Sequence, residues 1–328
     1  MTELLRTDAL TRHFGVGNAL SRKRLHAVDN ADLVVGEREI VAVAGESGSG
    51  KSTLARLLAM VYPPTSGEIY FRGKPLSAVK SRKDVLAYRG DVPMVFQDPF
   101  SSLNPAYRIS HGILRTLKLH RPELSGVQRQ AEAERVLTAV GLTPAAEVLD
   151  KYPHEFSGGQ RQRIGFAQAL ACQPKLILAD EPVSMLDVSI RVGLLNLMAD
   201  LRENEDVSFL YITHDLASAR YVADRVVIMY AGHIVETGPT DEVLHHPRHP
   251  YTQLLISAVP DPKAPLTDLG GDLGEPPRVI NPSPGCRFRW RCPLAVDECA
   301  TSTPESRLLG TGHTAACHVA EVDAELVS

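Results

Sequence analysis

The segment REIVAVAGESGSGKSTLARLLAMVY, Arg38–Tyr62, decides how this chain folds. Its opening residues end in an unbroken run of Val and Ala, the pattern of a strand buried on both faces. GESGSGKS, Gly45–Ser52, then fits GxxxxGK(S/T). STLARLLAMVY follows with apolar residues at helical spacing. Glycines let backbone N–H groups wrap an anion, and the helix N-terminus adds a partial positive charge. Gly45, Glu46, Ser47, Gly48, Ser49 and Gly50 are therefore expected to cradle phosphates. Lys51 is expected to reach the β- and γ-phosphates of a nucleotide, and Ser52, with Thr53 beside it, to offer a hydroxyl to Mg²⁺. A merely flexible turn explains neither the Lys-Ser pair nor the strand and helix around it.

Outward from this loop, residues 26–44 read as strands and PTSGE as a turn. PMVFQ reads as a short strand opening into a loop, DPFSSLNP. Helices are expected from about Val127 to Val140 and from Gly159 to about Ala171. KLILAD, FLYITHD and RVVIMYAG read as strands, with a helix between the last two. Apolar strands alternating with helices predict an α/β fold with a largely parallel sheet. LILADEP puts Asp180 and Glu181 at the carboxyl end of a strand, where open α/β sheets bind ligands. Asp180 is suited to holding Mg²⁺ through its water shell, and Glu181 to polarising an attacking water as general base. Adjacent acids after four apolar residues are an odd choice for a plain surface cap.

The length, 328 residues, allows one large domain or a domain with an appendage. With 35 basic against 39 acidic residues the net charge is -4, which argues against a broad nucleic-acid surface. The N-terminus lacks the apolar core of a signal peptide, and no apolar run approaches bilayer-spanning length. Any membrane role then needs other chains. Composition shifts near Val259 to a Pro-, Gly- and Asp-rich stretch that reads as a linker or arm. This divides the chain into 1–258 and 259–328. No internal repeat is visible.

The phosphate loop alone does not separate kinases, GTPases and transport ATPases. FSGGQRQR, Phe156–Arg163, does: here the chain resembles the ATP-binding cassette (ABC) family. That family's signature is a Ser-Gly-Gly-Gln turn opening a helix, normally preceded by Leu; Phe156 stands there instead. The resemblance covers about residues 1–258. It implies a P-loop NTPase cassette with a RecA-like core and a helical signature subdomain. It also implies that Ser157, Gly158, Gly159 and Gln160 address the γ-phosphate held by a partner subunit. Other family elements appear in order. Gln97 matches the loop that senses Mg²⁺ and water and faces the membrane subunit. Ser184–Asp187 matches the loop crossing the dimer interface, with Met185 for the usual Ala and Asp187 at its end. His214 matches the γ-phosphate histidine, and Phe14 the aromatic stacked on adenine. ATP and Mg²⁺ are the implied ligands, and two subunits must sandwich two ATP molecules.

FQDPFSSLNP, HPRHPYTQLLISAVP and a cysteine-bearing tail narrow the resemblance to the oligopeptide/dipeptide importers. This implies an ATPase on the cytoplasmic face of the membrane that energises peptide import. A sister ATPase or a second copy, two permeases and an external binding protein are the implied partners. Nickel or oligosaccharide uptake is the alternative cargo, and a non-transport ABC ATPase the alternative class. No heptads lie between Lys51 and Asp180, as DNA-repair members would need, and there is one cassette where translation factors have two. Cys286, Cys292, Cys299 and Cys317 crowd into the tail, at spacings unlike ordinary zinc or ferredoxin sites. A [4Fe–4S] cluster (known in some members), zinc, or a metal-free appendage all remain open. Arg287, Arg289 and Arg291 read as a solvated basic face, with attraction of anions or offset of a cluster's charge as the alternative.

Overall fold

A computed structural model describes residues 2–17, 21–98, 103–258 and 279–322. The centre of the DPFSSLNP loop, 99–102, and residues 261–278 of the stretch 261–285 read as a linker lie outside the described residues, while Val279, Ile280 and Asn281 of that stretch pair with the chain at 24–26. The strands are β1 (Glu3–Gly15), β2 (Arg24–Gly36), β3 (Ile40–Ala44), β4 (Ser66–Phe71), β5 (Lys74–Pro75) and β6 (Met94–Val95). Then come β7 (Leu176–Asp180), β8 (Ser208–Thr213), β9 (Arg225–Tyr230), β10 (His233–Pro239), β11 (Ser306–Gly310) and β12 (His313–Ala316). They form a four-stranded sheet, β2-β1-β4-β5, and an eight-stranded sheet, β11-β12-β10-β9-β3-β8-β7-β6. In the larger sheet β9, β3, β8, β7 and β6 run parallel, as the alternation of strands and helices predicts. β10, β12 and β11 extend it antiparallel.

The apolar run of β3 reflects burial from both sides. Ile40, Ala42 and Ala44 join a core shared with the helices Gly158–Leu170 and Val188–Glu205. Val41 and Val43 join a second core with β1, β2 and the helix Lys51–Leu58. The helices Ile109–His120, Gly126–Ala139 and Ala145–Asp150 pack on one another and on Gly158–Leu170, forming the helical subdomain. The second and last of these four match the sequence reading within one residue. The first and third, Arg82–Asp91, and strands β1, β4 and β10–β12 were not read from sequence. The PTSGE turn is shorter than expected, because Ser66 already belongs to β4.

The cysteine-bearing segment is joined to the cassette's own sheet, a continuity that the composition shift does not foretell. β12 pairs with β10, and His313 Nε2 lies 2.7 Å from Glu236 Oε1, both side chains fully buried. Glu236 also accepts the backbone N–H groups of Arg248 (2.7 Å) and His249 (3.0 Å), so its buried charge is well compensated. Phe288 anchors the segment, packing against Tyr230, Tyr251 and His249. Phe288 is 1% exposed, whereas Trp290 two residues on is 80% exposed. Phe288→Ala should therefore cost about 3–5 kcal/mol, and Trp290→Ala only about 0.5 kcal/mol or less, as measured by denaturant unfolding.

His249 caps the helix Pro250–Ser257, its Nδ1 accepting the Tyr251 N–H at 3.0 Å. That bond needs an unprotonated Nδ1, and burial lowers the His249 pKa to about 4. Between its unfolded pKa and pH 4 the unfolded chain therefore binds the proton and the native chain does not. Stability contributed here is complete above about pH 6.5 and declines as the pH falls towards 4, by roughly 3 kcal/mol in total. Unfolding free energies measured across this range should show the decline, and His249→Asn should flatten it.

Candidate functional site

β3 delivers the chain into the loop Gly45–Gly50, and the helix Lys51–Leu58 leads away from it. Gly50 has φ +106°, and a Cβ there would stand 2.2 Å from the Ala27 carbonyl oxygen. Only glycine permits that approach of loop to β2. Lys51 is buried at the loop's centre, its Nζ donating to the carbonyls of Gly45 (2.7 Å) and Glu46 (2.9 Å). Burial lowers its pKa, against the pull of Glu181, Asp180 and Glu46. Ser52 Oγ donates to Asp180 Oδ1 at 2.8 Å. Burial raises the Asp180 pKa, and the Ser52 bond only partly offsets this. A hydroxyl and a desolvated carboxylate side by side are oxygen donors of the kind Mg²⁺ takes, together with phosphate and water. Of the three groups read toward Mg²⁺, Ser52 and Asp180 thus fit that ion, while the Gln97 amide is turned to Glu181 and Ser184.

Glu181 follows β7 with φ +47°, a left-handed backbone uncommon for a non-glycine residue. Two side chains from other elements reach its carboxylate. Gln97 Nε2 donates to Glu181 Oε2 at 3.1 Å and to Ser184 Oγ at 3.2 Å, and His214 Nδ1 lies 3.3 Å from the same Oε2. Glu181, Gln97 and His214, far apart in sequence, therefore form one cluster. Ser184, which also donates to the Glu181 carbonyl at 3.0 Å, is a further member, read from sequence only as the start of the dimer-interface loop.

A cleft of about 1020 Å³ contains Glu46, Ser47, Gly48, Gly50, Lys51, Ser52 and Thr53, with Gln97 and Glu181 on its rim. Val16, Leu25, Val279 and Ile280 add apolar wall. Phe14 lies on β1 near this end, packed edge-on to Tyr62 at 5.4 Å with the Arg12 guanidinium 4.6 Å from its ring. Ser157–Gln160 and Asp187 lie outside this cleft. Ser157 caps the helix Gly158–Leu170: its hydroxyl accepts the Gln160 N–H, and the Gln160 side chain accepts the Ser157 N–H in return. Ser157 and Asp187 are exposed, as are Met185, Val188 and Ile190 between and beside them. Gln162, buried in the signature helix, donates to the Phe96 carbonyl at 3.2 Å and so ties that helix to the Gln97 loop.

The tail corrects the reading of its arginines as a solvated face. Arg287 is buried, bonded to Asp29 and the Ala231 carbonyl. Arg291 is 10% exposed, with two bonds of 2.8 Å to the Glu46 carboxylate. Arg289 is turned onto Trp290 and its own segment. His13, His26 and His233 also converge on Asp29. Burial would raise the Asp29 pKa, but His233, His26 and Arg287 together hold it well below the usual carboxylate range. With a guanidinium already on that carboxylate, a cation is poorly served there.

The four tail cysteines are brought together. Burial lifts the Cys286 pKa to about 11, and the other three thiols lie close enough to push it further. Cys286 N–H donates to the Cys299 carbonyl at 2.8 Å, and no disulfide links the four. Among the described residues, no three cysteine sulfurs all lie within 4.8 Å of one another. Sulfurs around one zinc, each at about 2.3 Å, would be only ~3.8 Å apart. The set is therefore splayed wider than a single zinc requires. Cys172 stands apart, and burial raises its pKa to about 12, as for an inert core thiol.

A P-loop on a parallel sheet, an acidic strand end, a converging Gln and His, and a second anion-type turn outside the cleft define an ATP-binding cassette. Comparison with known proteins agrees. The ABC transporter family model matches residues 28–184, and the model for the oligopeptide/dipeptide transporter C-terminal region matches 235–299. A putative oligopeptide transport ATP-binding protein of Bacillus subtilis is 40% identical over 319 residues, covering 96% of this chain and 95% of that protein. The di/tripeptide transport ATP-binding protein DppF of Pseudomonas aeruginosa is 41% identical over 327 residues, covering 98% and 99%. The oligopeptide transport ATP-binding protein OppF of Escherichia coli is 45% identical over 288 residues, covering 86% and 84%. Among solved structures, a dimeric ATP-binding cassette bound to ADP and Pi matches with TM-score 0.63 at 27% identity, covering 72% of this chain and 99% of that one. The chain belongs to the ATP-binding proteins of the oligopeptide/dipeptide ABC transporter family, and it is an ATPase whose hydrolysis drives transport.

The Glu181 cluster yields a direct expectation. Glu181→Gln keeps the size and the hydrogen bonds but cannot take a proton. Radiolabelled-nucleotide binding should stay within a few-fold of wild type, while phosphate release falls by about 100-fold or more. Near-normal phosphate release would remove Glu181 from the base role.

Proposed function

We propose that this chain is one of two ATPases in a transporter that imports small peptides, seated on the cytoplasmic face of the membrane. The observation that carries this reading is the union, in one chain, of a complete ATPase cassette with the C-terminal region typical of oligopeptide/dipeptide transporters. The names of the Bacillus, Pseudomonas and Escherichia relatives support peptide as cargo. No helix among the described residues is long and apolar enough to cross a membrane, which fits a subunit that borrows its membrane path from two permeases.

The chemistry follows from what each residue can do. The loop 45–53 wraps the ATP phosphates with its N–H groups, and Lys51 places positive charge against them. Ser52 and Asp180 would hold Mg²⁺, which would supply positive charge to offset that of the phosphates. Glu181 takes the proton of the attacking water; Gln97 and His214 orient that carboxylate, and His214 contacts the γ-phosphate. Phe14 and the apolar wall take the base. The signature turn Ser157–Gln160 meets the ATP of a sister subunit, because in its own chain it lies outside the cleft. The exposed apolar row Met185, Val188 and Ile190 supports burial there on pairing. Cys286, Cys292, Cys299 and Cys317 are the residues that would hold a [4Fe–4S] cluster, and their wide set favours it over one zinc. Such a cluster would supply a covalent brace across the segment.

Tagged chain solubilised from membranes should bring down two membrane-spanning subunits and a second cassette. ATPase activity of that complex should rise with a peptide-loaded binding protein. Stimulation by nickel- or sugar-loaded binding protein instead would replace the cargo; a tagged chain found with ribosomes or DNA and without permeases would replace the whole reading.

A further inference from the structure

We infer that the C-terminal region is a working part of the ATP site, with Tyr251 and Arg291 as positioning residues that hold the phosphate loop through Glu46. The inference rests on ATP being held by the loop 45–53. Glu46 is the first variable position of that loop, and it is gripped twice. Its backbone N–H donates to Tyr251 Oη at 2.9 Å. Its carboxylate accepts both arms of Arg291 at 2.8 Å each. A two-bond guanidinium–carboxylate fork fixes orientation as well as distance.

Neither grip belongs to the ATPase motifs. Tyr251 is the tyrosine of HPYTQLL, fully buried, with Tyr230 at 4.5 Å and Phe288 at 5.5 Å between ring centroids. Arg291 comes from the tail, one residue before Cys292. The same tail walls the cleft. Ile280 bridges to Leu25, His26 N–H donates to the Val279 carbonyl at 2.9 Å, and Val279 and Ile280 both line the cavity.

The physical consequence is preorganisation. A phosphate loop binds through backbone N–H groups that must all point inward at once, and a loop free to splay has to be ordered by the ligand. Anchoring Glu46 by its backbone and its side chain settles the first limb of the loop beforehand. Glu181, Gln97 and His214 stand on other elements, so loosening this anchor weakens ATP binding and leaves the chemical step alone. A loss of uniform binding appears in KM and not in kcat.

The test uses the full chain for equilibrium ATP binding and the assembled transporter for turnover. Arg291→Ala and Glu46→Ala should each raise the ATP dissociation constant and KM about ten-fold, with kcat within about two-fold. The double variant should be no worse than either single one, because both remove the same contact. Arg291→Lys keeps the charge and loses the fork, so it should fall between wild type and Arg291→Ala. Glu46→Gln, least disruptive to folding, should raise KM in the same direction. Thermal melting identifies any variant that is simply unfolded. Unchanged ATP affinity in folded Arg291→Lys and Glu46→Gln overturns the inference, as does additivity in the double variant or a loss confined to kcat. Lys51→Ala tests the underlying reading separately: if it binds ATP normally, the loop is not the phosphate site, whatever Arg291 does.

Discussion

Five residues, Ile40–Ala44, lie in the middle of the eight-stranded sheet with neither face reaching water. Their side chains divide between two cores, so the strand cannot slide or roll without exposing one of them. The phosphate loop begins where this strand ends. β7 and β8 lie on the same side of β3, each buried throughout, and they end in Asp180–Glu181 and Thr213–His214. Parallel pairing puts all these ends at one edge. The convergence of Lys51, Asp180, Glu181 and His214 is thus a product of register in a doubly buried parallel sheet.

The second anion-type turn obeys another logic. Ser157 and Gln160 satisfy each other's backbone groups, so the turn is stable on its own. It lies on the surface beside apolar side chains that a lone chain leaves in water. On the proposed pairing with a second cassette, one chain carries two half-sites. The Gln162 bond to the Phe96 carbonyl gives the signature helix a direct mechanical tie to the loop of Gln97.

The C-terminal region changes how the cassette is understood. Its strands continue the sheet, its His313 answers the buried Glu236, and its arginines reach back to Asp29 and Glu46. Cys286 and Cys292 each sit one residue from one of those arginines. The cysteine-bearing segment is consequently braced against the nucleotide cleft.

The phosphate loop, the acidic strand end and the signature turn were legible in the sequence because each does its work with consecutive residues. A glycine-rich turn between a buried strand and a helix carries its geometry in local backbone preferences and in hydrophobic period. The tail arginines were misread for the opposite reason: nothing within a few residues of Arg291 says that its partner is Glu46, 245 positions away. β1 and β10–β12 escaped notice because half-buried antiparallel strands with bulges, such as β1 against β2, blur the alternation that would mark them. What the sequence determined by itself was the chemistry of phosphate binding and hydrolysis, written in short-range patterns. Only the tertiary structure decided that the HPYTQLL tyrosine and the tail belong to that same site, because long-range ion pairs and ring packing depend on which surfaces the sheet brings together.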